Sequence, residues 1–296
     1  MLSYLNALEF FKKHVILQKE SIIGELQPAV SLMNRKVIHS HEVVIDGTKV
    51  VDKLGFNDSF KELSRITFLD HDIGRFKQAR YTSTFDDTKL VDYGYKDHGD
   101  LGKVVLLSGL LHQQIPDTRT FDEVISTVVN DHVTKIVDGK DLLVLCSDLL
   151  KSEDAFEFFS KADSETRRKV TDAITQIVQD VDRLDIYHQI LDGRWTPNKC
   201  DTPVDPKVFD MFYQGKYLNI AELKKKGLWN YNVGELVRLS FINQIKLLSV
   251  AEIIKEENIL ARLKEKRNNP YVLDAFDVTM QKLDEKINNS DGITIR

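Results

Sequence analysis

Asp70-His71-Asp72-Ile73-Gly74-Arg75-Phe76 is the stretch on which the reading of this chain turns. An apolar, helix-patterned segment, Ser59 to Phe68, runs into an adjacent His-Asp pair, and a glycine follows just after. Consecutive helical side chains diverge by roughly 100°, so His71 and Asp72 do not stack on one another. They can instead straddle one ion, or Asp72 can bridge two. An imidazole next to a carboxylate makes a hard-to-borderline donor set, which points to a metal. Because His-Asp dipeptides are common on solvated surfaces, partners elsewhere in the chain decide.

Those partners are spread along the sequence. His39 lies in Asn34-Arg35-Lys36-Val37-Ile38-His39-Ser40-His41, His98 in Lys96-Asp97-His98-Gly99, His132 in Val128-Val129-Asn130-Asp131-His132, and Asp182 in Asp180-Val181-Asp182-Arg183-Leu184-Asp185. In this order they resemble the HD-domain superfamily of metal-dependent phosphohydrolases. The similarity is to a bacterial subgroup with an HDIGRF-x-Q segment, a downstream DH pair, a further histidine and a D-x-D-[KR]-L-D segment. Here those pieces read His71 to Phe76 with Gln78, Asp97-His98, His132, and Asp180 to Asp185.

The resemblance implies an all-α fold, an HD-domain helical bundle with additional C-terminal helices packed on it. It implies that His39, His71, Asp72 and Asp182 bind a first metal, with Asp72 bridging to a second held with His98 and His132. His132 is flanked by Asp131 and Val133, where the subgroup usually has a polar residue before and an amide after. His41 competes with His39, which the spacing from Lys36 favours. Asp180 and Asp185 compete with Asp182, which stands directly before Arg183-Leu184 and matches the family's ligand aspartate best; Asp180 is the fallback. Isolated histidines in helical chains are mostly satisfied core or surface residues, and His14, His112 and His188 are read that way.

The chemistry accounts for these residue types. Phosphate esters resist attack because their negative oxygens repel hydroxide, and one or two divalent ions neutralise that charge and activate a water. Imidazole and carboxylate donors suit iron, manganese, zinc, nickel, cobalt or magnesium rather than copper(I). Asp72 is expected to act in catalysis as the bridging carboxylate. Arg75 is expected to act as a catalytic and substrate-binding clamp on phosphate, since on a continuous helix it shares a face with His71, four residues earlier. Lys103, five residues after His98, has a poorer register.

Composition sets the limits. With 296 residues, 42% of them hydrophobic and 29% charged, the chain is long enough for one large core or two small ones. A net charge of −5 argues against a general nucleic-acid surface, which needs a basic stripe, so a polymer nuclease is a poor fit. The Lys224-Lys225-Lys226 run reads as a solvated turn. Cys146 and Cys200 are far apart and lack zinc spacing. Met1 to Glu20 carries Glu9, Lys12, Lys13 and Lys19 and reads as neither signal peptide nor membrane span. A cytoplasmic location with no membrane partner is the expectation.

Helical periodicity runs along most of the chain, and only six prolines interrupt it. Helices are expected over Leu2 to Ile23, Lys36 to Leu54, Asp97 to Leu111, Phe121 to His132, Leu142 to Leu149 and Ser164 to Leu191, the last opened by Ser164. Thr82 to Tyr95 reads as a loop flanking the site. The proline-rich Thr196 to Pro206 divides an HD domain with its N-terminal helix, 1–194, from a helical extension, 195–296, packed on the same core. Beyond it, Lys207 to Tyr213, Asn232 to Leu248, Ser249 to Lys266 and Tyr271 to Ile287 look helical. Two functions fit these features. One is a metal-dependent phosphohydrolase that cleaves a phosphomonoester or phosphodiester of a small phosphorylated substrate such as a nucleotide. The other is a non-catalytic HD-like module for nucleotide sensing or partner binding.

Overall fold

The computed structural model describes residues 3–22, 27–111, 119–135, 146, 148–194, 202–216, 218–267 and 269–289. Every regular element among the described residues is helical, in agreement with the all-α expectation. None of the described helices is long and apolar enough to cross a membrane. The chain divides into two compact units between Val181 and Asp182, inside the long helix Ser164–Leu191. Most of the expected helix at 142–149, His112 and Cys200 lie outside the described residues.

In the first unit, α1 (Tyr4–Glu20), α2 (Gln27–Lys53), α3 (Asp58–Asp70), α4 (Ile73–Thr82), α5 (His98–Leu111) and α6 (Arg119–Asp131) form the bundle. Ser3 caps α1 by accepting from the Asn6 amide, and Asn57 caps α3 through Ser59 and Phe60, so each helix starts where a short polar side chain can satisfy free N–H groups. α2 begins well before Lys36; Pro28 is tolerated because it falls in the first turn, where no helical N–H bond is lost. α2 packs on α3 and α4, α4 on α5, and α5 on α6, while α1 lies against α3 and α4. The helix expected to open at Ser164 is capped by Asp163 instead, whose Oδ1 accepts from the Glu165 and Thr166 amides at 2.9 Å.

The core of this unit includes Phe11, Met33, Val43, Phe60, Phe68, Phe76 and Leu106, all buried. His14 belongs to the same packing: it lies 6.4 Å from the rings of both Phe10 and Phe76. Burial, helped by the charges of Lys77 and Arg80, pushes its imidazole down to about 4, so it stays neutral as an apolar-surface histidine should.

In the second unit two expected helices are divided. Ser249 to Lys266 becomes Leu248–Glu256 and Ile259–Arg267. The break falls at Asn258, whose φ of 52° is left-handed, a conformation asparagine tolerates better than most residues. Asn232 to Leu248 becomes Tyr231–Leu239 and a 3-10 turn, Ser240–Asn243. Lys224 and Lys225 end the short helix Ile220–Lys225, with Lys224 over the Trp229 ring at 5.7 Å.

Glycines set how closely α4, α5 and α6 approach. A Cβ on Gly74 would run into the His98 carbonyl and lie 2.7 Å from the Gly102 amide nitrogen. One on Gly99 would come within 2.8 Å of the Val129 and Asn130 carbonyls. Backbone cannot swing aside as a side-chain tip can, so these positions need bare Cα atoms. Gly74→Ala is expected to lower the unfolding free energy by about 1–3 kcal/mol through overpacking, measured by urea denaturation; an unchanged midpoint would contradict the close-packing account.

Candidate metal centre

The helix carrying Ser59 to Phe68 stops at Asp70, and α4 restarts at Ile73. His71 and Asp72 therefore occupy a turn between two helices, not the interior of one. At this break both side chains face the same point. The break also removes the helical register that related Arg75 to His71.

Two buried groups converge there: His39 with His71 and Asp72, and Asp72 with His98 and His132. In each group the donor atoms lie within 4.8 Å of one another, and Asp72 is common to both. α2 supplies His39, the α3–α4 turn His71 and Asp72, the first residue of α5 His98, and the turn after α6 His132. The His39 and His71 Nε2 atoms are 3.1 Å apart, and they lie 3.3 and 3.4 Å from Asp72 Oδ2. His98 Nε2 lies 3.2 Å from Asp72 Oδ1. The His132 ring stands between those of His71 and His98, with centroids 5.4 and 5.3 Å away.

The outer nitrogens are committed. His71 Nδ1 meets the Phe68 carbonyl at 2.7 Å, and His132 Nδ1 meets the Val129 carbonyl at 2.7 Å. His98 Nδ1 meets the Asp87 carboxylate at 2.9 Å. A carbonyl or carboxylate can only accept, so each Nδ1 carries the proton and donates. In the neutral rings of His71, His98 and His132 the Nε2 atoms are then the lone-pair donors, gathered near the Asp72 carboxylate. Lone pairs packed against carboxylate oxygens repel, and protonating every ring would crowd several cations into a buried space. A divalent cation removes both costs. Ligands about 2.0–2.2 Å from one ion lie about 3.0–3.5 Å from each other, the spacing seen here, so the donor set fits a metal ion.

Lys36, on the same face of α2 as His39, hydrogen-bonds Asp72 Oδ2 through its ammonium. Burial alone would raise the Asp72 carboxyl, but the Lys36 ammonium and the hydrogen bond from His39 hold it well below the ordinary carboxylate range. It is ionised whenever a metal ligand is needed. Asp70, one residue earlier, is pushed by burial up to about 8 and belongs to neither group.

His41 is half-buried, edge-on to the Phe11 ring at 6.1 Å. Asp97 caps α5, its Oδ1 accepting from the Asp100 amide at 3.0 Å. Asp182 is half-buried on the long helix and is in neither group. Asp180 is buried and accepts from Gln176 Nε2 at 2.8 Å, while Asp185 is buried and accepts from Gln189. His188 bonds Glu257 at 2.9 Å. Arg75 lies 3.6 Å from Asp72 Oδ1 through Nε, and its Nη1 donates at 2.8 Å to Gln78, to the Phe85 carbonyl and to Asp87.

Sequence reasoning missed Asp87 and gave Lys36 only a spacing role. Lys36 was accessible, since three residues on a helix share a face with His39. Asp87 carried no signal of its own among the acidic and aromatic residues of Thr82 to Tyr95. No family model, curated protein or solved structure matches the chain.

Elemental analysis after anaerobic reconstitution should find bound divalent metal, rising toward about two ions per chain. His71→Ala with Asp72→Ala should abolish it, and His132→Ala should lower it from about two toward one. Substoichiometric metal that does not rise on reconstitution, or two ions retained without His132, would contradict this ligand assignment.

Proposed function

We propose that this chain is a metal-dependent phosphohydrolase of the HD type, acting on a phosphomonoester or phosphodiester of a small molecule such as a nucleotide. The observation that carries the reading is the convergence of four imidazoles on one buried, ionised carboxylate, with Nδ1–H groups of three rings anchored outward. His39, His71, Asp72, His98 and His132 would hold the metal, which when bound supplies charge neutralisation at phosphate and an activated water.

The chain's own residues supply the rest. Asp72 places a single negative charge between the two imidazole pairs, so both halves of the site share one anchor. The Lys36 ammonium is at the edge of this cluster, with its side chain 22% exposed, and an incoming phosphate meets it there. Its charge stabilises the anion as negative charge builds up on the phosphoryl oxygens. The Phe85 ring, 6.0 Å from Lys36 Nζ, adds an apolar wall beside that cation. A small anionic substrate suits this single, partly exposed cation better than a polymer does, in a chain whose net charge is −5.

An unbiased hydrolysis screen of metal-reconstituted protein against mono-, di-, tri- and cyclic nucleotides tests the reading. Metal-dependent release of phosphate or of a nucleoside monophosphate is expected, and Lys36→Met should slow it by a factor on the order of ten to a thousand when compared at matched metal occupancy. Tight nucleotide binding without turnover would favour a sensing module. Full activity in Lys36→Met would remove that residue from the phosphate site.

A further inference from the structure

The segment after α4 crosses from Ser83 to Tyr95 and folds into a 3-10 helix, Asp87–Tyr93, where the sequence suggests only a loop. Ser83 at φ 53° turns the chain out of α4, and Gly94 at φ 81° ends the strap. Between them, Leu90 is fully buried. The Tyr93 hydroxyl donates to the Tyr81 carbonyl at 3.0 Å, and the two rings stack with centroids 4.8 Å apart. The strap is thereby tied to α4 by an apolar plug, a hydrogen bond and a stacked pair.

Asp87 is the residue this anchoring delivers to the centre. Its Oδ2 accepts from His98 Nδ1 at 2.9 Å, and its Oδ1 accepts from Arg75 Nη1 at 2.8 Å and from Gln78 Nε2 at 3.1 Å. Arg75 also reaches the strap backbone through the Phe85 carbonyl, and its guanidinium lies 5.5 Å from the Phe85 ring. One guanidinium nitrogen has two protons, so Nη1 facing three acceptors is fully occupied.

Resting on the metal reading above, we propose that Asp87 is a positioning residue for His98, and that Arg75 works by holding Asp87 and the strap in place. A carboxylate that accepts from Nδ1–H fixes the ring and its tautomer, aims Nε2 at the site and makes that nitrogen a stronger donor to a metal. His71 and His132 receive the same service from carbonyls; His98 receives it from a charged group on a separate element. The second half of the centre therefore depends on the strap being docked, whereas the His39–His71 half does not.

Titration of the metal-free full chain with Co2+, followed by visible absorption and by bound-metal stoichiometry, tests this. Asp87→Ala should weaken one of two Co2+ equivalents by about ten- to a hundredfold and change its absorption bands, leaving the other equivalent in place as the check that the protein is folded. Asp87→Asn, which keeps a hydrogen-bond acceptor, should recover part of the loss. Arg75→Met should reproduce a weaker form of the Asp87→Ala defect. Identical Co2+ binding by wild type and Asp87→Ala would overturn the positioning role while leaving the metal reading intact. Loss of both equivalents together would overturn its selectivity. Unchanged metal in Arg75→Met, with slowed hydrolysis, would make Arg75 a phosphate clamp and overturn its role as holder of Asp87. A wild-type chain that takes up no Co2+ would remove the metal reading and this proposal together.

Discussion

A single buried carboxylate, Asp72, is the constraint from which the rest of the centre follows. Ionised and nearly inaccessible, it would cost several kcal/mol in isolation, and the fold surrounds it with imidazole nitrogens and the Lys36 ammonium. Three of the clustered imidazoles, His71, His98 and His132, donate their Nδ1–H groups to oxygens behind them. What remains at the centre is a cluster of lone-pair donors around one carboxylate, a donor set that could hold a metal ion.

Delivering donors from four places in the chain to one point requires close backbone approach. Bare Cα atoms at Gly74 and Gly99 let α4 meet α5 and α5 meet α6, and so bring the start of α5 and the end of α6 to Asp72. The turn after α6 is held from the long helix, where Gln179 Nε2 donates at 2.9 Å to the carbonyls of His132 and Lys135. Packing and site geometry are thus one problem in this unit: the glycines that give the helices their spacing also set the distance between ligands.

Much of this was legible in the sequence. Helical periodicity carried the all-α class, and the His-Asp pair with its dispersed histidines marked residues the fold gathers into two adjoining groups. The register of Arg75 on His71 was not legible, because nothing in the local pattern announces that the helix stops at Asp70. Asp87 escaped for a different reason. Its contacts with His98 and Arg75 cross a turn, and periodicity relates only residues on the same element. The break at Asn258 belongs to the same class: an asparagine in a helical pattern does not reveal its left-handed conformation until the flanking helices are placed.

X-ray absorption spectroscopy of the Co2+- or Zn2+-loaded full-length chain tests the central claim most directly, because it counts the imidazoles around the metal without reference to any substrate. The account predicts a nitrogen and oxygen shell at about 2.0–2.2 Å, with the outer scattering of two or more histidine rings per metal-bound chain. A shell of oxygen alone, or sulfur at about 2.3 Å, would show that the ion binds elsewhere and would contradict the assignment of the Asp72 cluster as the metal centre.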